Sequence, residues 1–151
     1  MSEHHAGLHW KRTSADFTYD TYHRAHEVTF KNGAVVLAGS AAPAFKGDAD
    51  RVDPEEAFVG SLSACHMLTF LAVCARKRLI LDSYEDDAVG VLEKGEGGRL
   101  WVSRVTLRPR ARFAAGTIVN ETVLKDLHHT AHEQCFVANS VKTHVAVEPQ
   151  A

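Results

Sequence analysis

The sequence lacks a charge excess of either sign: 17 Lys and Arg stand against 19 Asp and Glu, a formal net charge of -2. A chain without a large positive field has no bulk electrostatic attraction to nucleic acid. It lacks repeats and low-complexity segments. It is also poor in cysteine, with three in 151 residues. Its start, Met1-Ser2-Glu3-His4-His5, lacks a basic segment followed by an apolar run and does not read as a signal peptide. The expected compartment is therefore the reducing cytoplasm, where three cysteines are free or redox-active thiols rather than a structural framework.

What is present suits one folded domain over residues 1–151: 45% of residues are hydrophobic and 24% charged. One long apolar stretch, Ala57 to Val73, is interrupted by Gly60, Ser61, Ser63, Cys65, His66 and Thr69. It is too polar and barely long enough for a membrane span of about 20 apolar residues, so no membrane partner is expected. A helix apolar nearly all round in such a chain reads as a central, fully buried helix.

Local signals order the elements. Residues 7–12, Glu27 to Phe30 and Ala34 to Ala38 are β-rich, and Lys31-Asn32-Gly33 marks a hairpin turn. The stretch from Gly39 to Val52 reads as a loop. In Asp53-Pro54-Glu55-Glu56, Asp53 is a helix cap, Pro54 suits the first helical position and Glu56 completes a capping box. The helix is expected from Pro54 to about Lys77, with Arg76, Lys77 and Arg78 where cations favour a helix C-terminus. Tyr84 to Lys94 and Arg99 to Phe113 read as strands. The second alternates an apolar face with a basic, solvated face, and its Pro109 requires an edge or a bulge. A second helix starts near Asn120, and Leu124, Leu127, Ala131 and Cys135 follow its buried face. Lys142 to Glu148 is a final strand. The order predicts an α+β fold around one central helix.

Cys65 is the centre of the chemical reading. By itself a cysteine in such a helix is more often a small buried hydrophobe than a nucleophile. A reactive cysteine must be a thiolate, and a mid-helix position gains little from the helix dipole, so a charged side chain must activate it. Arginine suits that task because it stays protonated and its fork can hold a peroxide oxygen.

Asp53-Pro54-Glu55-Glu56 followed by Ser63-Ala64-Cys65 resembles the central-helix motif of the OsmC/Ohr family. Leu127-His128-His129-Thr130-Ala131-His132-Glu133-Gln134-Cys135 is similar to that family's second-cysteine helix. The resemblance spans essentially the whole chain. It implies antiparallel sheets wrapped around a long central buried helix, an intertwined homodimer, and thiol-dependent reduction of organic hydroperoxides in a stress response. It implies Cys65 as the peroxidatic cysteine, Cys135 as the resolving one, Glu55 as the catalytic glutamate and Arg24 as the activating arginine, with Arg51 and Lys46 as competing cations. A dithiol reductant would restore the thiols, and no metal or organic cofactor is required. Two departures stand out: His66 follows the first cysteine where an aromatic residue is common, a change that bears on substrate preference. Phe136 follows the second, where proline is common.

One inference stands without the family. Glu55 and Cys65 lie ten residues apart on one helix, about 15 Å along its axis. No carboxylate spans that, so a common site needs Glu55 from another subunit or Arg24 as a bridge.

Two rival readings remain open. His128, His132 and Cys135 fall at i, i+4 and i+7, and with His66 they are acceptable zinc ligands by type, although the spacing matches no common zinc signature. A catalytically silent dimer binding a small apolar ligand is the other. Cys74, near the helix end, reads as packing.

Overall fold

The computed structural model describes residues 1–150. It divides into two compact units, Met1–Ala57 and the chain from Phe58 onward.

The first unit is a three-stranded antiparallel meander of β1 (Gly7–His9), β2 (His26–Phe30) and β3 (Val35–Gly39). The β2–β3 turn is built on Lys31, Asn32 and Gly33, with φ of 52°, 54° and 88°. This left-handed run suits asparagine and glycine and sets the register Phe30↔Val35. The first strand ends three residues short of its expected limit. The chain from Trp10 to Ala25 instead forms an aromatic loop.

Helix α1 (Pro54–Arg76) starts where the capping box places it. The Glu56 amide donates to Asp53 Oδ1 at 2.8 Å, and the Asp53 amide donates to Glu56 Oε2 at 3.1 Å. One stripe of the helix is buried: Leu62, His66, Phe70, Val73 and Cys74. The opposite stripe is open in the chain by itself, with Leu68 61% exposed. The helix has the length and apolarity of a spanning segment, with a mean hydropathy of 1.8. Its buried stripe belongs to two core clusters. Phe70, Val73 and Cys74 pack with Leu127 and Ala131, and Leu62 packs with Val105 and Leu107. Full burial of a side chain such as Phe70 or Leu62 contributes about 2–3 kcal/mol.

The second unit corrects two strand expectations. Tyr84 to Lys94 is two strands, β4 (Leu81–Asp86) and β5 (Val89–Lys94). Arg99 to Phe113 is also two, β6 (Leu100–Leu107) and β7 (Pro109–Phe113). β4 pairs with β7, while β6 lies between β5 and β8 (His144–Val147), antiparallel to the first and parallel to the second. The breaks meet at Asp86. Its carboxylate accepts from the Arg108 amide at 2.6 Å and from Ser63 Oγ at 2.5 Å. Pro109, which has no amide hydrogen to donate, opens β7 opposite Asp86. Because β6 is central in its sheet, Val105, Thr106 and Leu107 are all buried, and strict alternation fails at this end. The basic residues beyond it are answered by acids, as in Arg110–Glu85 and Arg108–Glu148.

Helix α2 (Glu121–Glu133) begins at Asn120, whose side chain accepts from the Val123 amide at 2.9 Å. It ends before Cys135. That residue lies in the following turn, and is 1% exposed. Leu127, His128 and Ala131 form the buried face of α2.

Replacing Asp53 by alanine removes one half of the capping box. The expected loss is about 1 kcal/mol of stability. Urea unfolding should show it as a lower midpoint with an unchanged slope.

Candidate active site

Cys65 sits mid-way along α1 and is partly exposed, whereas Cys74 and Cys135 are buried; all three are free thiols. The helical repeat puts Leu68, Ala72 and Arg76 on the same side as Cys65. Together with Phe136 they line a groove of about 720 Å³. Arg76 Nη2 closes one end by donating to Gln134 Oε1 at 3.0 Å. Thr69 Oγ1 donates to the Cys65 carbonyl at 2.8 Å, which ties this turn of the helix.

The structure brings the two expected cysteines together. The Cys65 thiol is a near enough neighbour of Cys135 to act on its ionisation. Burial pushes the Cys135 thiol up to about 11, and its contact with Cys65 adds to the rise. Cys135 is therefore a protonated thiol at neutral pH. Burial also raises Cys74, a member of the α1–α2 core cluster.

The other expected residues lie in the first unit. Glu55 is half-buried in the first turn of α1, and its side chain makes no hydrogen bond or ion pair with the described residues. Arg24 lies just before β2. Its guanidinium donates to the carbonyls of Tyr22 and Tyr19 and lies 3.8 Å over the Tyr22 ring. No carboxylate among the described residues is within ion-pair distance of it. The competing cations are both engaged: Lys46 by Asp20, and Arg51 by Asp48 at 3.7 Å.

His66 is not in the Cys65 groove. Successive helical residues are about 100° apart, and this turn carries His66 into the core, where it is 1% exposed. Its Nε2 is 3.1 Å from His128 Nδ1, the two rings are stacked, and Phe70 covers His128 at 4.2 Å between centroids. An influence of His66 on substrate preference by direct contact in that groove therefore has no geometric basis. His66 Nδ1 and His128 Nε2 are buried without partners. Whichever ring donates the shared proton, one donor and one acceptor stay unsatisfied. Among the described residues no group of three or more His, Cys, Asp and Glu is gathered to hold a metal ion. The zinc reading of His128, His132 and Cys135 thus lacks its ligand set.

Sequence reasoning missed the His66–His128 pair and the Arg76–Gln134 contact. A helical wheel separates His66 from Cys65 and aligns Arg76 with it, but the partners on α2 come only with the tertiary packing.

The solved and curated proteins give the following likenesses. The family model of the OsmC-like protein matches residues 47–150. None of the curated proteins matches. An OsmC-like protein of unknown function from Vibrio cholerae is 44% identical, with a TM-score of 0.92 over 99% of this chain and 100% of that one. An organic hydroperoxide resistance protein, OsmC, from Legionella pneumophila is 20% identical, with a TM-score of 0.71 over 99% and 96%. The organic hydroperoxide resistance protein OhrB of Bacillus subtilis is 18% identical, with a TM-score of 0.68 over 97% and 98%. The last two are likenesses of fold.

The buried histidines make stability acid-sensitive. Burial holds His66 at about 4, with His132 adding to the depression, and burial with His66 holds His128 at about 4. Both rings fold neutral, so their contribution is complete above the unfolded value near 6.5 and is lost as the pH falls from there towards 4. The loss is on the order of 3 kcal/mol per ring. Urea midpoints between pH 7 and pH 4 should fall steeply, and the double replacement His66→Phe with His128→Phe should flatten the slope.

Proposed function

Because the chain belongs to the OsmC-like family, we propose that it is a thiol-dependent peroxidase that reduces organic hydroperoxides at Cys65. One observation carries this reading: a partly exposed thiol in an apolar groove has a second, buried thiol as its neighbour. Apolar lining favours an alkyl or aryl hydroperoxide over hydrogen peroxide.

In the proposed reaction the Cys65 thiolate attacks the distal peroxide oxygen. The O–O bond breaks, the departing alkoxide takes a proton and leaves as an alcohol, and Cys65 becomes a sulfenic acid. Cys135 then attacks the Cys65 sulfur. Its proton and the sulfenic hydroxyl leave as water, and a disulfide forms. An external dithiol restores both thiols by exchange. Arg24 is proposed to stabilise the thiolate and the peroxide oxygen, with Glu55 orienting it. Arg24 forms no direct ion pair among the described residues, and the Asp20 carboxylate that feels its charge is held by Lys46, while Arg51 is held by Asp48, which supports its selection over those two cations. No step calls for a metal or organic cofactor. The reaction belongs to the cytoplasm, where dithiol reductants operate.

A homodimer is part of the proposal. The open stripe of α1, including Leu68, and Phe136 at 82% exposure leave apolar surface that a second copy would cover. Sedimentation at micromolar concentration should give a species of twice the 16.6 kDa chain mass.

Peroxide consumption with a dithiol donor tests the reaction. Cys65→Ser should abolish turnover, since a serine hydroxyl does not ionise at neutral pH. Cys135→Ser should still complete one round and then accumulate the sulfenic acid, which excess peroxide drives to the sulfinic state. After one equivalent of cumene hydroperoxide, peptide mapping of the wild type should find a Cys65–Cys135 bond. A bond through Cys74, or full dithiol turnover in Cys135→Ser, would overturn the role of Cys135.

A further inference from the structure

The second unit holds a small cavity of about 240 Å³ between α2 and β8, which shares no lining residue with the Cys65 groove. One wall is a stripe of α2, where Lys125, His128, His129 and His132 follow the helical repeat. The other wall is apolar. Val145 and Val147 point to one face of β8, and Pro149 follows them. All four polar side chains on the lining end in nitrogen, and no carboxylate is among them.

Two of those groups already have partners at the surface. Lys125 is bonded to Glu121 at 2.7 Å, and His129 lies 3.5 Å from Glu133. The unsatisfied groups lie deeper. His128 is 3% exposed; its Nδ1 is taken by His66 Nε2, and its Nε2 has no partner. One turn further along α2, His132 Nδ1 is also buried without a partner.

Hydrogen-bond accounting fixes which atoms carry protons. Both His66 and His128 are uncharged at neutral pH. If His128 donated the shared proton, His66 would keep an N–H at Nδ1, sealed in the core on a side chain 1% exposed. A buried N–H left without a partner is rarer than a buried acceptor left idle. His66 therefore donates, and His128 carries its own proton on Nε2, on the wall of the cavity. There a bound molecule can satisfy it.

We propose that this cavity binds a small monocarboxylate with a short alkyl chain. The carboxylate accepts from His128 Nε2 and from His132 Nδ1, and the chain lies on Val145, Val147 and Pro149. A carboxylate offers acceptors only, so no donor on the ligand is left facing the histidine donors, and its charge strengthens both bonds. The site stands apart from the peroxidase reading and does not depend on it.

Butyrate is the probe. In a chain with isotope-labelled histidine, the ring-nitrogen spectrum should show His128 as the Nε2–H form. Butyrate at constant pH and ionic strength should then move the His128 and His132 signals saturably, whereas butanol, which has the chain without the carboxylate, should not. His132→Ala, at a half-buried position that leaves the core intact, should weaken binding by about tenfold or more. The double replacement His66→Phe with His128→Phe keeps rings in the core, and should remove the response of His132. Four outcomes would overturn the proposal. They are an Nδ1–H form of His128, no saturable shift with butyrate, an equal response to butanol, or an affinity unchanged by His132→Ala. Zinc alone moving these signals while butyrate leaves them still would also overturn it, and would assign the stripe to a metal instead.

Discussion

The contact between α1 and α2 is the constraint on which the second unit depends. It is made of Phe70, Val73 and Cys74 against Leu127 and Ala131, with the His66–His128 hydrogen bond set inside the apolar packing. A neutral imidazole pair in such a place is oriented as well as packed, because each ring has only one nitrogen that finds a partner. That orientation fixes the roll of α1 about its own axis. Once His66 faces the core, Cys65 must face away from it, into the groove, and the turn after α2 brings Cys135 to the same thiol. Two helices held by one buried polar contact thus determine where both sulfurs lie.

The same packing separates the cysteines chemically. Cys135 and Cys74 are removed from water, and burial disfavours their thiolates. Cys65 remains open to the groove. The asymmetry comes from position in the fold rather than from any difference in covalent structure. A buried second thiol beside an accessible first one suits a sequence of attack followed by resolution, and it keeps Cys135 out of reach of adventitious oxidants.

Asp86 has a comparable organising role for the sheets. A long strand with Pro109 in its middle invites an edge or a bulge, but the chain instead divides there and places its two halves in different sheets. The Asp86 carboxylate satisfies the Arg108 amide at the division and holds Ser63 of α1. One side chain therefore satisfies the backbone amide of Arg108 at the break, and it ties the sheets to the helix that carries Cys65.

Much of this was legible in the amino-acid order because it is short-range. The capping box at Asp53 and Glu56, the Asn32-Gly33 turn, the Asn120 cap and the apolar period of α1 each depend on residues within a few positions. The α+β order and the family likeness follow from such signals and from the motifs around Cys65 and Cys135. The sequence by itself thus determined the two helix starts, the first hairpin and which cysteines carry the motifs. It did not determine where strands break, since Asp86 and Arg108 are far apart in the chain. Nor did it show that Cys135 lies beyond its helix, that His66 turns from the groove to meet His128, or that Arg24 lies over the rings of Tyr19 and Tyr22. Those features arise from contacts between distant segments, where burial and hydrogen-bond satisfaction are decided by the packed structure, and only the tertiary fold could decide them.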